Sequence, residues 1–206
     1  IPKILALEPE LVLAFSDLQA GIVADLVRAG VDVHVFNQRD IAGILAMIRT
    51  LGALVGAAEP AEVLAHGLER RLAEMAATSR PSPRPKVYFE EWDDPLISGI
   101  GWVSELIEIA GGEDVFPELR HRQAAKDRIV SAEAVREATP DVILASWCGK
   151  KVVPARIRAR DCWNEIPAVR DDCIVEIKSP IILQPGPAAL TDGLDAIVTA
   201  LWGRPK

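Results

Sequence analysis

Residues 5–16 read LALEPELVLAFS, and residues 136–147 read REATPDVILASW. Placing Pro9 on Pro140 pairs Glu10 with Asp141, Leu11-Val12-Leu13 with Val142-Ile143-Leu144, and Ala14 with Ala145. Each copy is a helix end, a proline–acid turn and a short strand without a polar interruption. A sheet with one wet face would alternate apolar and polar residues. A strand that is apolar throughout fits a parallel sheet covered on both faces.

A helix and a second strand follow each copy. QAGIVADLVRAG (19–30) reads as a helix stopped by Gly30, and VDVHVFN (31–37) as a strand. After the second copy, VVPARIRARDCWNEIPAV (152–169) reads as a helix and DCIVEIK (172–178) as a strand. Strands alternating with helices, in two like units, predict an α/β protein with two Rossmann-like lobes and parallel sheets.

Between the copies lies AEPAEVLAHGLERRLAEMAATS (58–79). Leu64, Leu68, Leu72 and Met75 recur on one helical face, Pro60 suits the first turn, and Pro81, Pro83 and Pro85 end the run. About 20 residues at ~1.5 Å each give a rod of roughly 30 Å, long enough to bridge two lobes. The expected organisation is a partial N-terminal lobe (1–57), a bridging helix (58–79) and a C-terminal lobe (80–206). The copies are unequal. A strand at 86–90 and a helix at about 99–111 precede Pro140, whereas eight residues precede Pro9. If the lobes are true repeats, the first lacks roughly 45 residues in this chain.

The 206 residues are half apolar, enough for a sizeable core in one domain or two small lobes. A net charge of −7 and a pI near 5.1 argue against nucleic acid and anionic membranes as partners. No stretch reaches the roughly 18 uninterrupted apolar residues of a spanning helix. No signal sequence is visible and the chain starts at Ile1, so a preceding segment is expected to have been removed or to lie outside this chain. Cys148, Cys162 and Cys173 are odd in number and lack CxxC spacing, which argues against a zinc site and leaves the redox compartment open.

In an open parallel sheet, ligands bind beyond the carboxyl ends of the strands. Those ends are Phe15-Ser16-Asp17, Ser146-Trp147-Cys148-Gly149-Lys150 and Lys178-Ser179-Pro180, with Glu91-Trp92-Asp93-Asp94 closing the run that begins at Lys86-Val87-Tyr88-Phe89. Aromatic and polar groups thus gather on one expected cleft, a small-molecule site. Trp92 and Trp147 admit two readings, cleft wall or core, while Trp102, Trp163 and Trp202 read as packing residues. Asp93 and Asp94 read either as a solvated turn or as a polar lip that accepts hydrogen bonds or attracts a cation. Cys148 beside Lys150 invites a nucleophile reading. None of His34, His66 and His121 has the sequence context of a catalytic base. GKK at 149–151 lacks the remainder of a phosphate-binding loop.

Three segments carry a family resemblance: ILALEPELVLAF (4–15), ISGIGWVSELIEIAGGEDVFPE (97–118) and RIVSAEAVREATPDVILA (128–145). In order and spacing they resemble the substrate-binding proteins that serve ABC importers of vitamin B12, haem and iron-siderophores, most strongly the cobalamin-binding members. The resemblance implies a non-enzymatic, transport-related protein with two α/β lobes bridged by one long helix, capturing a corrinoid or metal chelate. It also implies no resident cofactor, a monomer, an ABC permease as partner, and a periplasmic or membrane-anchored extracytoplasmic location. By position it implies an aromatic contact at Phe15, another at Glu91-Trp92, and a third contact loop at Ile181-Ile182, where this chain is aliphatic instead of aromatic. The family's docking glutamates fall near Pro2 and Leu183, so this chain departs from that pattern. The strand ends and these positions together give the expected ligand set: Phe15, Ser16, Asp17, Glu91, Trp92, Asp93, Asp94, Trp147, Cys148, Lys150 and Ile181.

Two alternatives stay open. An iron-siderophore would call for basic or tyrosine side chains, for which Lys150 and Lys178 are candidates and Tyr88 lies within a strand; haem would call for an axial His or Tyr. From another class, an enzyme would use Cys148 or the Asp93/Asp94 pair.

Overall fold

A computed structural model describes residues 1–203, so the last three residues of the expected C-terminal lobe lie outside the described residues. The chain separates into two units, 1–38 and 39–206.

The first unit runs α1 (Pro2–Leu5), β1 (Val12–Phe15), a 3₁₀ turn (Asp17–Gln19), α2 (Ala20–Arg28) and β2 (Val33–Phe36). The strands pair in parallel, with Val12 opposite Val33 and Phe15 opposite Phe36. Polar side chains at the end of β1 build the turn into α2. Ser16 Oγ accepts the Leu18 N–H at 3.2 Å, and Gln19 Oε1 accepts the Phe15 N–H at 2.7 Å. Gly30, at φ +83°, takes the left-handed position that follows α2, where a side chain would strain the backbone. The expectation of two covered faces fails at β1. Leu13 is 43% exposed and Val35 on β2 is 42% exposed, because two strands and one helix longer than a turn leave one side of this small sheet bare.

The second unit opens with a helical hairpin, α3 (Ile41–Leu54) and α4 (Ala58–Ala77). Asp40 caps α3 by accepting the Gly43 N–H at 2.7 Å. At the hairpin a Cβ on Gly52 would collide with Ala61 Cβ and lie 2.8 Å from the Ala57 carbonyl, so glycine permits the close approach. Arg49 on α3 bonds Glu62 at 2.9 Å and Glu69 at 3.0 Å on α4. The helix expected at 58–79 is α4, two residues shorter at its end.

The sheet that follows has the order β4–β3–β6–β7, built from β3 (Lys86–Asp93), β4 (Leu96–Ser98), β5 (Glu113–Asp114), β6 (Val142–Ala145) and β7 (Ile174–Glu176). β6 runs parallel to both β3 and β7, while β4 returns antiparallel along the end of β3 and β5 pairs with its start. Around it lie α5 (Gly101–Ile109), α6 (Ala132–Ala138), α7 (Pro154–Arg158), α8 (Pro167–Arg170), α9 (Ser179–Ile182) and α10 (Leu194–Trp202).

Alternation along the strands feeds two cores. Val87, Phe89, Val142 and Leu144 join the apolar cluster of α3, α4, α5 and α10, whereas Tyr88, Ile143 and Ala145 join Val135, Ile157 and Trp163 on the opposite face. All four residues of β6 are therefore buried, as its unbroken apolar run predicts. Trp102 and Trp202 are anchored by indole bonds to the Ile182 and Ala110 carbonyls, each at 2.8 Å.

Two further expectations are corrected. The strand expected at 86–90 continues to Asp93, because Leu96–Ser98 pairs with it through a register shift between Glu90 and Trp92. The single helix expected over 152–169 is broken into α7, a 3₁₀ turn (Trp163–Glu165) and α8. α7 ends at Arg158, Cys162 at φ +61° turns the chain into the 3₁₀ turn, and Pro167 starts α8.

Candidate ligand-binding site

The acidic run after Phe89 does not stand free in water: three of its carboxylates are ion-paired. Glu90 is fully buried; its Oε1 accepts the Trp147 indole N–H at 2.9 Å and an Arg160 N–H at 2.9 Å. A second Arg160 N–H reaches Glu90 Oε2, making the guanidinium contact bidentate. Glu91, on the other side of the strand, is held by the buried Arg128 through bonds of 2.7 and 3.1 Å, and Arg128 also donates to the Ser98 carbonyl. Asp93 receives the Lys150 ammonium on Oδ1 and lies 3.2 Å from Arg156 on Oδ2.

These pairs explain how charged residues end a core strand. An unpaired buried carboxylate is strongly disfavoured, and each of the three has a cation at bonding distance. For Asp93, burial pushes the carboxyl pKa up, but the Lys150 hydrogen bond and charge, with Arg156 behind them, outweigh it and hold it below the usual aspartate range. Trp92 is half-buried and donates its indole N–H to the Asp94 carbonyl at 2.9 Å, while Asp94 itself is exposed.

Lys150 ties this cluster to the end of β6. Its Nζ lies 3.9 Å from the centre of the Trp92 ring and 5.2 Å from that of Trp147. It also borders a cavity of about 300 Å³ at the carboxyl ends of β6 and β7, lined by residues that include Trp147, Lys150, Lys151, Glu176, Lys178 and Ser179. Lys178 bonds Glu176 at 2.7 Å, and this bond, with the Val152 N–H on the other oxygen at 3.2 Å, holds the Glu176 carboxyl below its ordinary range. Gly149 enters the turn at φ +74°, a left-handed position suited to glycine.

The second unit thus gathers Trp92, Asp93 and Trp147 around Lys150, whereas Glu91 pairs with Arg128 outside that set. Trp147 borders the cavity yet is only 1% exposed, so its ring serves both core and wall. Cys148 is a free, exposed thiol, and no described histidine lines the cavity. Ile181 is half-buried on α9. In the first unit, Phe15 and the buried Ser16 close β1, and Asp17 is exposed in the 3₁₀ turn. Leu183 is half-buried and Pro2 exposed.

Sequence reading missed Arg128, Arg156 and Arg160. They stand 37, 63 and 70 residues from the carboxylates they neutralise, and no local spacing announces such pairs. The one available signal was the number of acids itself, since carboxylates at the end of a buried strand require cations from elsewhere.

A relative from Bacillus subtilis (strain 168), an uncharacterized ABC transporter substrate-binding lipoprotein called YvrC, is 23% identical over 98% of this chain and 65% of its own length. A vitamin B12-binding protein of Vibrio parahaemolyticus is 24% identical over 92% of this chain and 68% of its own. This chain therefore spans about two thirds of the length of these curated relatives. Among solved structures, an ABC transporter substrate-binding protein from Listeria monocytogenes EGD-e superposes with a TM-score of 0.81 at 19% identity, covering 98% of this chain and 80% of that one. The fold is that of a solved ABC transporter substrate-binding protein, and the family model matched is that of a binding protein, in line with the expectation of a non-enzymatic chain. Residues 2–181 match the periplasmic binding protein model, and the chain belongs to that family.

Proposed function

We propose that this protein captures cobalamin or a related corrinoid for an ABC importer, using the carboxyl ends of β1, β3 and β6. The observation that carries this reading is the similarity to a vitamin B12-binding protein over 92% of the chain. The chemistry of the β3–β6 rim is compatible with it. A corrinoid presents flat apolar faces and a rim of amides, and Trp92, the Asp94 carboxylate and the Lys150 ammonium offer a ring, an acceptor and a donor within one cluster. In this reading Phe15, Ser16 and Asp17 form the first unit's contribution and Ile181 an aliphatic third contact. The match to an ABC transporter substrate-binding lipoprotein supports a permease partner and an extracytoplasmic location.

A second reading keeps the class and changes the ligand to an iron-siderophore. The lysines around the β6–β7 cavity favour it, because ferric siderophores present anionic oxygens. Haem gains less, since no described His or Tyr lines that cavity. Co-elution and absorbance with cyanocobalamin, hemin and a ferric siderophore separate the readings. Retention of cyanocobalamin supports the first, and retention of the siderophore alone replaces it with the second.

A further inference from the structure

We propose that the cavity at the carboxyl ends of β6 and β7 binds an anionic arm of the captured ligand, a phosphate ester or carboxylate, on Lys151 and Lys178. The inference rests on the reading that the chain is a solute-binding protein, and it adds the charge of the solute. On a chain of net charge −7, this cavity draws together three lysines and one glutamate. The charges do not cancel. Lys150 is ion-paired with Asp93, and Lys178 with Glu176. Lys151 has no ion pair or hydrogen bond among the described residues, although its charge still acts on Glu176. One ammonium, on an exposed side chain, is thus left uncompensated at the cavity that Trp147 also lines.

Geometry sets the size of the guest. About 300 Å³ is the lower end of a small-molecule pocket, so it suits an arm of a ligand and not a whole macrocycle. The Glu176 bond orients Lys178 at the cavity wall, and the Ser179 hydroxyl adds a donor beside it. Lys151 supplies the charge and Lys178 with Ser179 the direction.

The test compares cyanocobalamin, whose nucleotide loop carries a phosphodiester, with cobinamide, which lacks it, and with a ferric carboxylate siderophore. Each is titrated against the wild-type chain and against the Lys151→Gln and Lys178→Gln variants at low and high salt. The expected result is that the variants bind cyanocobalamin about tenfold more weakly, as loss of one charged hydrogen bond implies. Cobinamide affinity stays unchanged, which also reports that the variants fold, and the wild-type preference for the phosphodiester shrinks as salt rises. If cyanocobalamin binds and both variants bind it as tightly as wild type, the anion subsite is overturned while the corrinoid reading stands. If the chain ignores both corrinoids but holds the siderophore, and the variants weaken that, the corrinoid reading falls and the subsite stands. Binding of none of the three overturns both.

Discussion

The Lys150 ammonium lies 3.9 Å from the centre of the Trp92 ring while bonded to Asp93, so one cation serves the aromatic and the acid of the same strand end. The two contacts share a side chain that is 36% exposed, which limits the worth of either alone. A double-mutant cycle of Lys150→Met and Trp92→Leu should return a favourable coupling of about 0.5–2 kcal/mol in urea unfolding. A coupling of zero would mean that the stacking has no energetic consequence.

Arg160 is the partner whose loss should harm the fold most. Its bidentate contact neutralises Glu90, a carboxylate with no exposed surface. Arg160→Met is expected to lower the unfolding free energy by about 3–5 kcal/mol, because it strands a buried charge. Adding Glu90→Gln should recover most of that loss, since the amide needs no cation. Equal destabilisation in the single and double variants would contradict the pairing.

Acid should weaken the same region through Asp93. Its folded-state pKa is held below the ordinary value of 3.8, so its contribution is complete above that value. The contribution is lost as pH falls through the lower folded value. Stability of the wild type and of Asp93→Asn, measured from pH 7 downward, should therefore converge only in strong acid. Convergence already near pH 6 would be the wrong pattern.

Gly52 tests the packing of the α3–α4 hairpin. A Cβ there meets Ala61 and the Ala57 carbonyl, and one contact is backbone, so the neighbours cannot simply turn away. Gly52→Ala is expected to destabilise by about 1–3 kcal/mol, lowering the melting temperature by roughly 2–4 °C per kcal/mol for a chain of this size. A melting temperature at or above wild type would show that the hairpin relaxes freely.

Much of the fold was legible because it depends on local pattern. The matched Pro9 and Pro140 segments marked parallel strands, and the burial of Val142 through Ala145 on both faces follows from their unbroken apolarity. Gly30 marked the end of α2, and the leucine stripe marked α4. What stayed illegible depends on partners far along the chain. The extension of β3 to Asp93 needs β4 alongside it and cations from Arg128, Lys150, Arg156 and Arg160, none of which the acidic run could nominate. Trp147 shows the same limit: a strand-end tryptophan reads as wall or core, and its indole bond to buried Glu90 makes it both.

Calorimetric titration of cyanocobalamin into the chain, repeated with Trp92→Ala, decides whether a corrinoid is captured at the end of β3. Saturable one-to-one binding, low-micromolar or tighter, is expected in the wild type. A loss of about tenfold or more is expected in the variant, the usual effect of removing an aromatic anchor. No heat with cyanocobalamin, beside saturable binding of a ferric siderophore under the same conditions, would contradict corrinoid capture.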